Sequence, residues 1–278
     1  MAHQDQFGGH GQLHFKAVGR PGSQVDSLGP DNSPLRHSRV RPVTLAAGER
    51  LSVGSSQEET ALILVRGAAR LKGGELGSGT LGPRHSFITE RAHAVYVAPG
   101  DSASVEASEP SELMIATAPV SPAPDLVSRW VRPEDQTPKQ VGQDNWSRQV
   151  PAILHGDFSA RVLVLGETVN PPGNWSSSPP HKHDGEHDGE SCLEESYYYR
   201  LDPPQGFGVQ MLYTADGDID AAMTVRDGDI FAIPRGYHPV VAGPGYHLYY
   251  LWVLAGDGRT LNWYEDPDHS WIKDQKGF

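Results

Sequence analysis

From Val40 onward, short apolar runs alternate with clusters of Gly, Pro and Asp, a rhythm that predicts β-strands joined by tight turns. RPVTLAAGERLSV leads into ETALILVRGAARL, where Leu62 and Leu64 alternate with Ile63 and Val65. Apolar side chains on both parities predict a strand buried on both faces. A turn follows at Gly67, and AHAVYVAPGDSASVEA then reads as strand, Pro99-Gly100 turn, strand, with SELMIATAPV supplying one more.

The second half repeats the pattern in SARVLVLGETV, LEESYYYR, GFGVQMLYT, MTVRDGDIFAIPRGYHPVV and PGYHLYYLWVLAG. In GFGVQMLYT, Phe207, Val209, Met211 and Tyr213 share one face. Regularly spaced strands of this kind suggest sandwiches or barrels. Residues 1–39, rich in Gly, His and Ser, read as a loosely ordered arm with one strand at Leu13–Val18. Residues 40–120 form a first domain and 143–278 a second, and the Pro-rich, charged stretch 121–142 is expected to connect them.

Composition agrees with an all-β chain: among 278 residues there are 31 Gly and 23 Pro, with 37% hydrophobic residues. A formal net charge of −12 speaks against broad nucleic-acid binding, which needs clustered Lys and Arg. It leaves room for a small anionic substrate held by a local cation, since charges more than about 10 Å away are largely screened. Cys192, the single cysteine, excludes an intrachain disulfide framework and fits a reducing compartment. No apolar run approaches a membrane span and no secretory h-region opens the chain, so a soluble, cytoplasmic protein without a membrane partner is expected.

Candidate chemistry concentrates between Asn174 and Glu195, in NWSSSPPHKHDGEHDGESCLEE. Pro179 and Pro180 keep the chain extended, so His181 and His183, at i and i+2, point to one side. In LEESYYYR, parity separates Leu193, Glu195, Tyr197 and Tyr199 from Glu194, Ser196, Tyr198 and Arg200. The first set is the more apolar and is assigned to the interior, taking Glu195 with it. A fourth ligand is expected from far along the chain, from His238 in AIPRGYHPVV. Three imidazoles and a carboxylate suit one divalent metal, Zn²⁺ first, with Mn²⁺ or Fe²⁺ possible, and the lack of thiolates excludes the usual structural zinc motifs.

Other polar residues read as ordinary surface. His3, His10 and His14 fall in a polar arm, while Glu58, Glu59, His85 and His93 read as solvated turn residues. Trp263 and Trp271 are expected to pack the barrel mouth rather than line a site.

The spacing H-x-H, Glu, then G-x5-P-x-G-x-H (Gly228, Pro234, Gly236, His238) is similar to the two motifs of the cupins, which ring one metal inside a jelly-roll barrel. Two departures stand out: a longer loop between His183 and Glu195, and one residue rather than two between Gly236 and His238. GNWSSSPPHKHD, LEESYYYR, DGDIFAIPRGYHPVVAGPGY and LYYLWVLAG narrow the likeness. They resemble the 5-deoxy-glucuronate isomerase family of myo-inositol catabolism, bicupins related to the 5-keto-4-deoxyuronate isomerases.

That resemblance implies two tandem jelly-roll barrels. The first, lacking H-x-H, would carry no metal; the second would hold it through His181, His183, Glu195 and His238. It further implies a uronate substrate and an aldose-to-ketose isomerisation. The base is left open among a metal-bound hydroxide, Glu190, His187 and Tyr197, and a hydride shift without a base is an alternative. The substrate carboxylate needs a cation. Lys182 and Arg200 point away on the assigned parities, leaving Arg235 as the candidate. Other readings of the same residues are a cupin oxygenase or oxidase and a non-catalytic sugar-acid binding protein. The oligomeric state is not legible.

Overall fold

The computed structural model describes residues 11–17 and 27–274. Helical structure among these residues is confined to short 3-10 turns at Pro133–Asp135, Asp144–Trp146 and Ser270–Asp274. Among the described residues, no helix is long and apolar enough to cross a membrane. The chain is all-β, as the turn-dense sequence predicts, and folds as two jelly-roll-type units in tandem.

In the N-terminal unit the large sheet runs Arg39–Leu45, Ser111–Pro119, Glu58–Gly73, His93–Val97, Arg129–Val131, with all neighbours antiparallel. The C-terminal unit repeats that order. Val164–Asn170, His247–Gly256, Leu193–Asp202 and Ile230–Ile233 lie side by side, and His14–Phe15 closes the edge. Arg148–Leu154 and Pro138–Val141 extend this sheet beyond Val164–Asn170. Its facing sheet is Trp175–Ser176, Val240–Ala242, Gly208–Tyr213, Asp220–Val225.

The two large sheets pack against each other, which explains the double-sided apolar strands. Ile63 and Val65 join a core cluster with Tyr198, Leu251 and Val253 of the C-terminal unit, while Leu62 and Leu64 fill the N-terminal interior with Leu71, Leu81 and Val95. The seam also carries charge. Buried Arg84 donates to both oxygens of Glu167 across the two units, at 2.8 and 3.0 Å. Arg200 pairs with Glu112 of the N-terminal sheet and with Asp227.

Several sequence expectations change. Residues 121–142 are not a bare connection: Arg129–Val131 belongs to the N-terminal sheet and Pro138–Val141 to the C-terminal one. In the arm the strand is His14–Phe15; Val18 lies outside the described residues, as do His3 and His10. It pairs with Ile230–Ile233 in the C-terminal sheet, so a segment that precedes the first unit in sequence completes the edge of the second. In Gly208–Tyr213 the buried parity is Gly208, Gln210 and Leu212; Met211 and Tyr213 are half-buried beside a separate surface cleft.

Glu59 is not a solvated turn residue. It is fully buried and accepts backbone N–H groups of Arg161, Val162 and Leu163, just ahead of Val164–Asn170. Glu194 does the converse, accepting the N–H groups of Arg36, His37 and Ser38, just ahead of Arg39–Leu45. Each unit thus fastens the entry of the other with one buried carboxylate, whose lone pairs match three backbone donors.

Candidate metal centre and cavity

Parity on the Leu193–Asp202 strand turns Glu195 and Tyr197 into the C-terminal barrel, while Glu194 and Tyr198 face the N-terminal unit. The loop after Ile233 delivers His238, and extended chain at His181–Lys182 delivers the other two imidazoles. Each of His183, Glu195 and His238 has one ligand-type atom within 4.8 Å of the others, and all three side chains are buried. Glu195 Oε2 is 3.3 Å from His183 Nε2 and 3.3 Å from His238 Nε2. The His181 ring stands alongside, its centroid 5.0 Å from that of His238 and 6.4 Å from that of His183, more exposed than the other three.

Backbone carbonyls fix which nitrogen faces inward. His183 Nδ1 is 2.8 Å from the Leu193 carbonyl and His238 Nδ1 is 2.9 Å from that of Gly236. His181 Nδ1 has a longer contact, 3.4 Å, with the Pro179 carbonyl. A carbonyl only accepts, so each Nδ1 donates and a neutral ring presents the lone pair of Nε2 to the cluster. His238 Nε2 is buried with no hydrogen-bond partner. The unpartnered His238 nitrogen then turns a lone pair toward a carboxylate oxygen 3.3 Å away, an arrangement that repels itself unless a cation sits between them. The donor set and the orphaned nitrogen therefore fit a divalent metal.

Electrostatics prepare the rings unequally. Burial, reinforced by neighbouring His183, holds His181 down at about 3. Burial likewise holds His238 at about 3, although Glu195 pulls the other way. For His183 burial is again the largest influence and lowers its proton affinity, but the hydrogen bond and charge of Glu195 outweigh it and raise the pKa.

The cluster opens into a cavity of about 270 Å³ lined also by Trp146, Arg148, Tyr197, Tyr250, Trp263 and Glu265. Tyr197 has its hydroxyl 3.3 Å from Ser177 Oγ, and burial beside Glu195 raises its pKa well above the ordinary phenol value. The Tyr250 hydroxyl is 2.7 Å from Ser176 Oγ. The tail folds back so that Tyr264–Glu265 pairs with His181–Lys182, and Trp263 lies 5.6 Å from the His181 ring. Trp263 thus lines the site, contrary to the expectation that it only packs the barrel mouth, whereas Trp271 lines the neighbouring cleft.

Other sequence candidates go elsewhere. Glu190 accepts from the Asp184 and His187 amides and from Lys182 Nζ, organising the acidic loop, and does not line the cavity. His187 stacks on Tyr264 at 3.6 Å, outside the cavity lining. Lys182 points away, as parity predicts; burial lowers its pKa, but hydrogen bonds to Asp184 and Glu186 outweigh this and lift it to about 12. Arg235, proposed from sequence to hold a substrate carboxylate, is bound to Asp216 and Asp218 at the surface and does not line the cavity.

Sequence reasoning passed over Arg148. Its signal was a charged residue sharing parity with Val150, Ala152 and Leu154 on a strand otherwise suited to burial.

Residues 14–272 match the KduI/IolB family. The chain is 38% identical over 234 residues to a 5-deoxy-glucuronate isomerase of Geobacillus kaustophilus, covering 84% of each chain. It is 35% identical over 251 residues to the enzyme of that name from Bacillus subtilis strain 168, covering 89% of this chain and 92% of the relative. Among solved structures, an IolB-like protein of Salmonella typhimurium LT2 superposes with a TM-score of 0.87 at 32% identity, over 94% of this chain and 99% of the other. Bacillus subtilis oxalate decarboxylase shares the fold alone, with a TM-score of 0.65 at 12% identity, over 92% and 79%. A match over nearly the whole described chain, joined to relatives of similar length, establishes that the chain belongs to the KduI/IolB family.

Proposed function

We propose that this chain is a metal-dependent isomerase that converts 5-deoxy-D-glucuronate to 5-dehydro-2-deoxy-D-gluconate in cytoplasmic myo-inositol catabolism. The observation carrying this reading is the convergence of His183, Glu195 and His238, flanked by His181, on one cavity in a chain whose relatives bear that enzyme's name. At about 270 Å³ the cavity lies just below the range of drug-sized ligand sites, about 300–1,000 Å³, and suits a six-carbon sugar acid.

His181, His183, Glu195 and His238 would hold the metal, and the donor set favours Zn²⁺ over Mn²⁺ or Fe²⁺. When bound there, such an ion would supply Lewis-acid polarisation of the substrate carbonyl. The chain's own groups do the rest. Carbonyls of Leu193 and Gly236 keep Nδ1 of His183 and His238 protonated and their Nε2 atoms turned inward. Tyr197, held neutral by burial, is a hydrogen-bond donor to charge developing on a substrate oxygen rather than the base the sequence offered. Trp263 and the returning tail flank the His181 side of the cavity.

Turnover of 5-deoxy-D-glucuronate, followed with metal analysis, tests this reading. Activity lost on chelation and regained with Zn²⁺ or Mn²⁺ is expected. Oxygen consumption in place of isomerisation, or full activity in metal-free protein, would overturn it. Solvent deuterium appearing in the product marks proton transfer; complete retention of the substrate hydrogen marks a hydride shift.

A further inference from the structure

We propose that Arg148 is the specificity-determining cation of the cavity, the group that binds the carboxylate of an acyclic sugar acid whose other end lies at the histidine cluster. This rests on the isomerase reading for the identity of the acid, but not for the chemistry recognised.

Arg148 is 8% exposed, and its side chain lines the same cavity as His181, His183 and Glu195. Its hydrogen bonds run from Nη1 to backbone carbonyls, Trp146 at 3.0 Å and Ser178 at 3.5 Å. Among the described residues, no ion pair joins it to a carboxylate. Its ionisable neighbours are the phenols of Tyr197 and Tyr250 and the ring of His181, none of which is an anion at neutral pH.

The other deeply buried guanidinium among the described residues shows what a settled arginine looks like. Arg84 is matched by Glu167 in a two-pronged pair and by the carbonyls of Leu64 and Glu90. A guanidinium has five donors in a planar fork that fits a carboxylate. Burying one without a counter-anion is costly, and a site that keeps it gains when an anion arrives. Arg148 has that unmet demand, and it faces a cavity rather than solvent.

The rest of the lining agrees. The Tyr197 ring is 6.1 Å from that of His238, and its hydroxyl bonds Ser177, next to the Ser178 carbonyl that accepts from Arg148. Glu265, the remaining cavity carboxylate beside Glu195, is already bound to Lys273 and so is not the missing partner. In an aldose-ketose isomerisation of a uronate, the reacting carbons lie at the end of the chain opposite the carboxylate. A cation separate from the metal ligands is therefore required; Lys273, the other cation of the lining, is exposed and taken by Glu265, Arg235 lies outside the cavity, and Arg148 supplies it.

The experiment uses the metal-loaded full chain and two variants, Arg148→Met and Arg148→Lys. It measures steady-state kinetics on 5-deoxy-D-glucuronate and, independently of turnover, calorimetric binding of D-gluconate against its neutral amide, D-gluconamide. The wild type should prefer the acid. Arg148→Met should lose that preference and raise KM at least about 30-fold, the lower bound for truncating one partner of a buried charge pair, with metal content unchanged. Arg148→Lys should recover part of the preference. Because the free side chain is buried without an anion, Arg148→Met should melt no lower than wild type.

Retention of the acid preference in Arg148→Met, or absence of the preference in the wild type, would overturn the assignment. A lowered Tm with the preference intact would make Arg148 a structural residue and overturn it as well. Should the wild type prefer the acid through Arg148 yet fail to isomerise 5-deoxy-D-glucuronate, the carboxylate site stands and the enzyme reading falls.

Discussion

In the N-terminal barrel, the strand Glu58–Gly73 turns Leu62 and Leu64 inward, opposite Ile115 and Leu113 of the neighbouring strand. In the C-terminal barrel, Leu193–Asp202 turns Tyr197 and Tyr199 into the matching places, opposite Trp252 and Tyr250. The match is anchored by Glu59 and Glu194, which fasten the entry of the opposite barrel in the same way, so Thr60 corresponds to Glu195. One frame has therefore been filled twice. Aliphatic side chains close the first interior, whereas aromatic ones with hydroxyl or indole handles keep the second open and polar. The lesson is that strand order decides where a site can be, and the side chains on one parity of two strands decide whether it exists.

The harshest way to break the contrast is to make the second barrel resemble the first. Glu195→Thr should abolish stoichiometric metal binding and lower turnover by on the order of 10³-fold or more. Retention of bound metal in that variant would remove Glu195 from the ligand set.

The seam that both barrels share is the next target. Arg84→Met leaves Glu167 buried without its cation and should cost about 3–5 kcal/mol of stability. Arg161→Met, at an exposed pair with Asp125, should cost no more than about 1 kcal/mol. Equal losses in denaturant melts would show that the buried pair does not hold the barrels together.

Acid separates the interiors more gently. In metal-free protein, His238 has its pKa held near 3 by burial, against 6.5 for an ordinary histidine. The unfolded chain therefore takes up a proton that the folded chain refuses, and stability falls as pH drops from about 6.5 towards 3. His183, whose pKa is raised, acts in the opposite sense, favouring the fold on the acid side. Metal-free wild type should thus lose Tm more steeply over this range than metal-free His238→Gln. Identical slopes would mean that His238 is solvated.

Smallest of all, Arg235→Met should leave KM unchanged and shift stability by no more than about 0.5 kcal/mol, since its partners Asp216 and Asp218 are exposed. A raised KM would return Arg235 to the site.

Much of the site could be read along the chain because it is local in pattern. His181 and His183 lie two apart on extended backbone, and Glu195 is separated from Glu194 by parity alone; both statements follow from the period of a strand. Roles that depend on a distant partner were not legible. Glu190 and His187 sit beside the motif in sequence, but one is consumed by loop amides and Lys182 and the other by Tyr264. Glu59 read as a turn residue because its three donors come from residues about a hundred positions later, Arg161 to Leu163.

By itself, then, the sequence determined that the chain is all-β, that two similar halves follow one another, and that the second carries an imidazole and carboxylate set. These depend on side-chain period and on residue type, which every strand expresses locally. Only the tertiary structure decided that the halves pack back to back through buried carboxylates, that the tail returns to cover His181, and that Arg148 rather than Arg235 meets the cavity. Whether a charge is paired, and with what, is a property of the space around it, and that space is assembled from segments far apart in the chain.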